Sequence, residues 1–164
     1  MNKSPLELLF GFLGLAAAFT LDRLSKSWAL THLQASQSTI FLPGLLNLRL
    51  VHNTGAAFSL GRDNGQLMTT VAALVTISLV AWMTNRYRRA AHSAPLERIG
   101  AGILLGGALG NLYDRFTLGQ VTDFLEFSFM TFPIFNVADA LIDLGIVLIF
   151  FAMIKEMRQS HAGN

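Results

Sequence analysis

No cysteine occurs in the 164 residues, and charged residues make up only 13% of them. The first absence excludes disulfides, thiolate nucleophiles and cysteine-based zinc sites, and leaves the compartment open. The second excludes more. A water-soluble domain of ordinary usage carries about 25% charged residues. A chain of 17.9 kDa with 52% hydrophobic residues and a mean hydropathy of +0.49 has too little polar surface to cover a soluble fold. The same values exclude long-range disorder, which needs low hydrophobicity and high charge. Net charge is +2, yet the 12 Lys and Arg residues are scattered among apolar blocks. A nucleic-acid surface needs them clustered among polar residues, so no nucleic-acid partner is expected. The composition is that of an integral membrane protein, read as one domain over residues 1–164.

Four hydrophobic blocks are present. A spanning helix needs about 20 mostly apolar residues, fewer where flanking side chains snorkel. The first block runs from Leu6 to Leu21 and continues as an amphipathic end through Trp28. Lys3 ahead of it and Ala16-Ala17-Ala18 within it imitate a secretory signal, but nothing after Ala18 reads as a mature soluble domain. The second, Leu67 to Met83, is uncharged and closes on Trp82, an interface residue by type. The third, Ile99 to Tyr113, is short and glycine-rich, and the fourth, Val137 to Ile154, contains Asp139 and Asp143. Four transmembrane helices are therefore expected.

Seven of the 12 basic residues (Lys3, Arg86, Arg88, Arg89, Arg98, Lys155, Arg158) fall on one side of this layout. The positive-inside rule then places both termini in the cytoplasm and the long connections outside. Leu46 to His52 largely alternates and reads as a strand. In Asp123 to Phe129 the apolar Leu125, Phe127 and Phe129 take odd positions, while Glu126 and Ser128 take even ones. Asp123 shares the apolar parity. These strands would form a small extracytoplasmic platform, suited to an extended peptide. Gly102, Gly106 and Gly110, with Gly107 beside them, form a small-xxx-small stripe read as helix packing.

Ionisable groups inside a membrane need a partner, a watery cavity or a function. Asn136, Asp139 and Asp143 share a helical face at i, i+3, i+7. Asn111, Asp114 and Arg115 close the third block, and Asp22 and Lys26 close the first. All of them fall on the outer side. Each has a structural reading: Asp22 with Lys26 as a salt bridge, Asp114 with Arg115 as a helix-end pair, Asn136 as a cap, and Asp139 as a complement to the helix dipole. Asp143 is left unassigned.

Converging carboxylates without cysteine allow an aspartic dyad, in which two acids sharing one proton split their titrations and activate water. Asp123 and Asp139, on different elements, are the best candidates. A proton or ion path through the same acids, as in a small proton-coupled carrier, is equally allowed by this reading. A scaffold would explain the glycines and not the acids. His52 with Ser59 lacks a nucleophile elbow, the four His residues have no metal-ligand spacing, and no phosphate-cradling loop occurs.

Several stretches together resemble bacterial lipoprotein signal peptidases, the signal peptidase II family. They are Asn53-Thr54-Gly55-Ala56-Ala57-Phe58, the run from Gly106 to Arg115, Gly119-Gln120-Val121-Thr122-Asp123-Phe124 and Phe135-Asn136-Val137-Ala138-Asp139. Asp22-Arg23-Leu24-Ser25-Lys26 resembles the family's N-terminal Asp-x-x-x-Lys element. The match spans nearly the whole chain, in order. It implies an intramembrane aspartic endopeptidase of the bacterial cytoplasmic membrane, with its active site toward the extracytoplasmic face. The expected substrate is a diacylglyceryl-modified prolipoprotein, cut before the lipidated Cys. Asp123 and Asp139 would be the catalytic pair, and Asn53, Gly55, Asn111, Arg115 and Asn136 would bind substrate. Asp22, Lys26 and Asp114 would serve architecture or gating, and the strand region from Leu46 to Phe58 would cradle the peptide. No cofactor or metal is implied. Membrane phospholipid is the other expected partner, and a monomer the expected state. Tyr113, where the family often has an aliphatic residue, and Asp143 depart from the pattern.

Overall fold

A computed structural model describes residues 5–35, 37–55, 64–89 and 94–162. The four apolar blocks form four helices, each longer than its apolar stretch: α1 (Pro5–His32), α2 (Gly65–Arg89), α3 (Pro95–Leu118) and α4 (Val137–Ala162). Three strands, β1 (Ser38–Leu42), β2 (Leu46–Asn53) and β3 (Val121–Phe127), form one antiparallel sheet in the order β1-β2-β3. Among the described residues three segments are long and apolar enough to cross a membrane: Leu8–His32, Gly65–Arg88 and Val137–Gln159. The third block is not among them. Its helix carries Glu97 and Arg98 near one end and Asp114 and Arg115 near the other, around a glycine-rich middle.

The bundle is turned outward. Leu8, Phe12, Leu13, Leu74, Ile77, Ile146, Phe150 and many similar side chains of α1, α2 and α4 are exposed. In water that surface would be unfavourable; in lipid it costs nothing. The central helix α3 does the opposite and presents two faces of small residues. A Cβ on Gly102 would lie 2.1 Å from the carbonyl oxygen of Gly11, and one on Gly106 would lie 2.6 Å from that of Leu15. These residues bring α3 against α1. Gly107, expected beside that stripe, instead faces α4, where its Cβ would meet Ala138 O at 2.7 Å; Gly100 meets Gly145 O at 3.0 Å on the same side. One helix thus forms close backbone contacts with two neighbours.

β2 begins and ends as the alternation predicts, to within a residue. β1 was not expected from the sequence. Its hairpin with β2 turns through Pro43-Gly44, with Gly44 at φ 74°, where any side chain would be strained. Asp123 does lie on the same strand as Leu125 and Phe127, but the expected one-sided pattern is corrected. Phe124, at an even position, is as buried as Asp123, because it packs with Leu48 and Leu50 against Ala29 of α1. Phe129 lies beyond the strand.

α3 stops at Gly119, which adopts φ 69° and donates its N–H to Arg115 O at 3.1 Å, a left-handed cap. The chain then enters β3 within two residues. After β3 it folds back so that Phe135 N–H bonds Leu125 O at 3.0 Å and Phe135 O accepts from Phe124 and Leu125. That return delivers Asn136 to the start of α4.

Overpacking the α1–α3 contact should cost about 1–3 kcal/mol. We expect Gly102→Ala to lower the unfolding midpoint in detergent by several degrees. Gly11→Ala, whose Cβ would sit an ordinary 3.5 Å from Arg98 O, should leave it unchanged or raise it.

Candidate active site

Asp123 is 2% exposed. Its Oδ2 accepts from Asn53 Nδ2 at 2.8 Å and its Oδ1 from Asn136 Nδ2 at 2.6 Å. Asp139, in the first turn of α4, accepts from Asn111 Nδ2 at 2.8 Å and from the backbone N–H of Asn136 at 3.1 Å. Asn136 therefore donates to both carboxylates, one through its side chain and one through its backbone. Its Oδ1 in turn accepts the N–H of Asp139 at 3.1 Å. This reciprocal pair is a capping box, with Asp in the place usually held by Glu. The capping role read for Asn136 and the convergence of the two acids are one arrangement.

Asn111 has a fixed orientation. Its Oδ1 accepts from Lys26 Nζ at 2.8 Å and from Asn136 Nδ2 at 3.1 Å, so its amide group is the donor facing Asp139. Lys26 is 0% exposed. It also lies 3.0 Å from Asp114 Oδ2 and 3.1 Å from Asp22 Oδ1. The contact to Asp22 is an ion pair without hydrogen-bond geometry, since neither Asp22 oxygen has a hydrogen-bond partner. The structural pair expected of Asp22 and Lys26 is present. The expected pairing of Asp114 with Arg115 is replaced. Asp114 is fully buried, bonds Arg23 and Lys26, and accepts the Thr122 N–H at 3.1 Å. Its neighbour Arg115 leaves it and donates to Gly55 O at 3.2 Å. Two acids and two bases of α1 and α3 thereby neutralise each other behind the site, and Asp114 fixes the residue next to Asp123.

Both carboxylates line a cavity of about 290 Å³ together with Asn53, Asn111 and Arg115. Phe132, Pro133, Ile134 and Phe135 line it as well, and Phe132 and Phe135 belong to a cluster of rings with Phe127 and Phe129. Asp143 also lines it. Gly55 reaches it indirectly: buried, it donates its N–H to Asn53 Oδ1 at 3.0 Å while Arg115 holds its carbonyl. Ala56, Ala57, Phe58 and Ser59 lie outside the described residues. His52 is an exposed strand residue opposite Thr122.

Burial pushes the Asp123 carboxyl up to about 6, and the nearby Asp139 charge adds to the rise, against the hydrogen bonds from Asn53 and Asn136. Two hydrogen-bonded acids in one apolar-walled cavity, with Asp123 raised toward neutrality, can hold a proton and transfer it. Sequence reasoning missed Arg23, whose guanidinium also stacks 4.5 Å over the Tyr113 ring, and the Phe132–Phe135 wall. The aromatic spacing in that loop carries no strand or helix period that would reveal it.

The family model for signal peptidase (SPase) II matches residues 15–155. The chain is 38% identical over 145 residues to the lipoprotein signal peptidase of Gloeobacter violaceus, covering 88% of this chain and 82% of that protein. It is 35% identical over 153 residues to that of Pseudomonas aeruginosa, covering 89% and 88%. A bacterial membrane enzyme solved by the in meso method superposes with a TM-score of 0.76 at 27% identity, over 90% of this chain and 88% of that one. Sequence, spans and fold agree: this multi-pass membrane protein belongs to the signal peptidase II family.

Proposed function

We propose that this protein removes signal peptides from diacylglyceryl-modified prolipoproteins in the bacterial cytoplasmic membrane, as an aspartic endopeptidase using Asp123 and Asp139. The observation that carries the reading is the Asn136 bridge, which holds carboxylates from two elements against one cavity. In this reading α3 is the fourth span. Its charged ends are tolerable because α1 and α4 flank it and because Arg98, Asp114 and Glu97 are buried against partners within the protein. Both termini are cytoplasmic and the sheet is extracytoplasmic. Ile40, Phe41, Leu42 and Leu45 at the hairpin and Phe129 and Met130 beyond β3 are exposed, which suits a platform resting on lipid. One domain acts as a monomer.

The charge balance favours a single proton on the pair. Arg115 is the basic side chain lining the cavity, so one proton shared by Asp123 and Asp139 makes that pair and Arg115 neutral together, while Asp143 of the same lining is exposed. That is the cheapest state in a low dielectric. The ionised acid takes a proton from water, and the water oxygen attacks the carbonyl carbon before the lipidated Cys. The protonated acid gives its proton to the carbonyl oxygen. When the C–N bond breaks, the amine nitrogen takes a proton from one acid while the other takes one from a hydroxyl of the gem-diol, so the new carboxyl terminus forms and the pair again holds one proton. Asn53 and Arg115, tied to the Gly55 loop, hold substrate backbone along the strand edge. The diacylglyceryl chains stay in the bilayer, which brings the scissile bond to the depth of the acids.

Purified protein in detergent should cleave a diacylglyceryl-modified prolipoprotein, seen as a gel shift, and leave the unlipidated form intact. Asp123→Asn and Asp139→Asn should be inactive though folded. Equal cleavage by all three would overturn the assignment, and a folded wild type that moves protons across liposomes instead of cutting would favour a carrier. Asn111→Asp keeps the shape and adds a third ion partner to Lys26, but turns an acceptor toward Asp139; it should lower kcat by roughly 100-fold with little change in KM. Because Asp123 is raised, it holds its proton up to about pH 6 in the free enzyme. The alkaline limb of kcat/KM should therefore begin near there and fall about tenfold per pH unit. A profile flat from pH 5 to 8, with chemistry rate-limiting, would contradict the shared proton.

A further inference from the structure

The opposite end of the bundle, where α2 and α4 finish and α3 begins, carries a second group of charges with its own pairing. Arg86 Nε lies 3.0 Å from Glu97 Oε1, and its Nη2 lies 2.8 Å from Glu156 Oε2. One arginine thus takes both acids, Glu97 from the first turn of α3 and Glu156 from α4. Arg98 is spent differently, its guanidinium 4.7 Å over the Tyr87 ring. Lys155 and Arg158 are exposed, and among the described residues neither has an acidic partner.

These two cations share a helical face with Phe151 and Ile154, at i, i+3, i+4 and i+7. Together with Leu96 of α3 they line a groove of about 450 Å³. Phe151 and Leu96 are exposed within it. The first turn of α3, which contributes Leu96, has no side-chain cap, so its partial positive charge adds to that of Lys155 and Arg158. The groove lies at the end of the Val137–Gln159 span, the depth at which headgroups meet acyl chains. Unpaired cations above an apolar wall at that depth fit one ligand chemistry.

We infer that this groove binds an anionic phospholipid, its phosphodiester on Lys155 and Arg158 and its acyl chains along Phe151, Ile154 and Leu96. A free phosphate would leave the apolar wall uncovered, and a zwitterionic lipid would set its own cation against the two basic side chains. The inference needs the membrane placement of α4 and not the cleavage chemistry, so its test does not read activity.

The full chain, delipidated in a non-ionic detergent, would be titrated with phosphatidylglycerol or with phosphatidylcholine of the same chains, and bound lipid counted by native mass spectrometry. We expect phosphatidylglycerol to bind about 30-fold tighter, each basic side chain near the surface contributing roughly fivefold. Lys155→Gln with Arg158→Gln should reduce the preference to within about twofold, and each single variant should remove part of it. Arg49→Gln, which disturbs only the exposed pair with Glu126 on the sheet, should leave it intact. An unaltered unfolding midpoint of the double variant would show that the loss is local. Equal binding of the two lipids by wild type, or a preference that survives the double substitution, would overturn the site. Displacement of the lipid by millimolar glycerol phosphate would also overturn it, since the groove would then be recognising phosphate alone.

Discussion

Much of the site depends on a lysine that has no exposure at all. An ammonium group taken out of water costs several kcal/mol unless acceptors and opposite charges surround it, and Lys26 has three partners, the ion partners Asp22 and Asp114 and the acceptor Asn111. Two of these belong to α3, so the cost of burial is offset only when α1 and α3 are in register. The small-residue face of α3 makes that register sterically possible, and Gly110 admits the Asp22 carboxylate, where a Cβ would lie 2.2 Å from Oδ2. Packing and charge therefore specify the same alignment. Arg23 closes the set by pairing with Asp114, so the charges buried behind the site sum to zero.

From that alignment the site is reached through three short links. Lys26 leaves Asn111 only its amide to offer Asp139. Asp114 takes the Thr122 N–H and so sets the strand that carries Asp123. Asn136 spans the two carboxylates while capping α4. Every carboxylate oxygen of the pair already has a nitrogen donor, which fixes both side chains before any peptide arrives. Preorganisation of this kind lets charge move without the surroundings having to reorient.

Much of this was legible in the sequence, for stated reasons. The apolar blocks located all four helices, because length and composition in lipid leave few alternatives. The offsets 136, 139 and 143 put a cap and two acids on one face, and the alternation from Leu46 found β2. Other features depend on which helix meets which, and no local period reports that. Asp114 turns from Arg115 to Lys26 and Arg23 because α1 lies against it, and Phe124 is buried because the same helix covers the sheet. The first strand was hidden by a strand too short to alternate clearly, although the Pro43-Gly44 turn between two apolar stretches was a hairpin signal. The third block reads as a span like the others, but its glycines and charged ends serve packing between α1 and α4, which its local composition does not report.

The capping box at the start of α4 has a mechanical side. Asp139 Oδ2 is the acceptor that holds the Asn136 N–H, and the same Asn136 side chain holds Asp123. A proton that settles on Oδ2 weakens that acceptor and loosens the first turn of α4, together with the amide shared between the acids. Proton position and the tightness of one helical turn are then a single variable, so under the proposed dyad chemistry the end of a membrane helix would respond to each transfer made beside it.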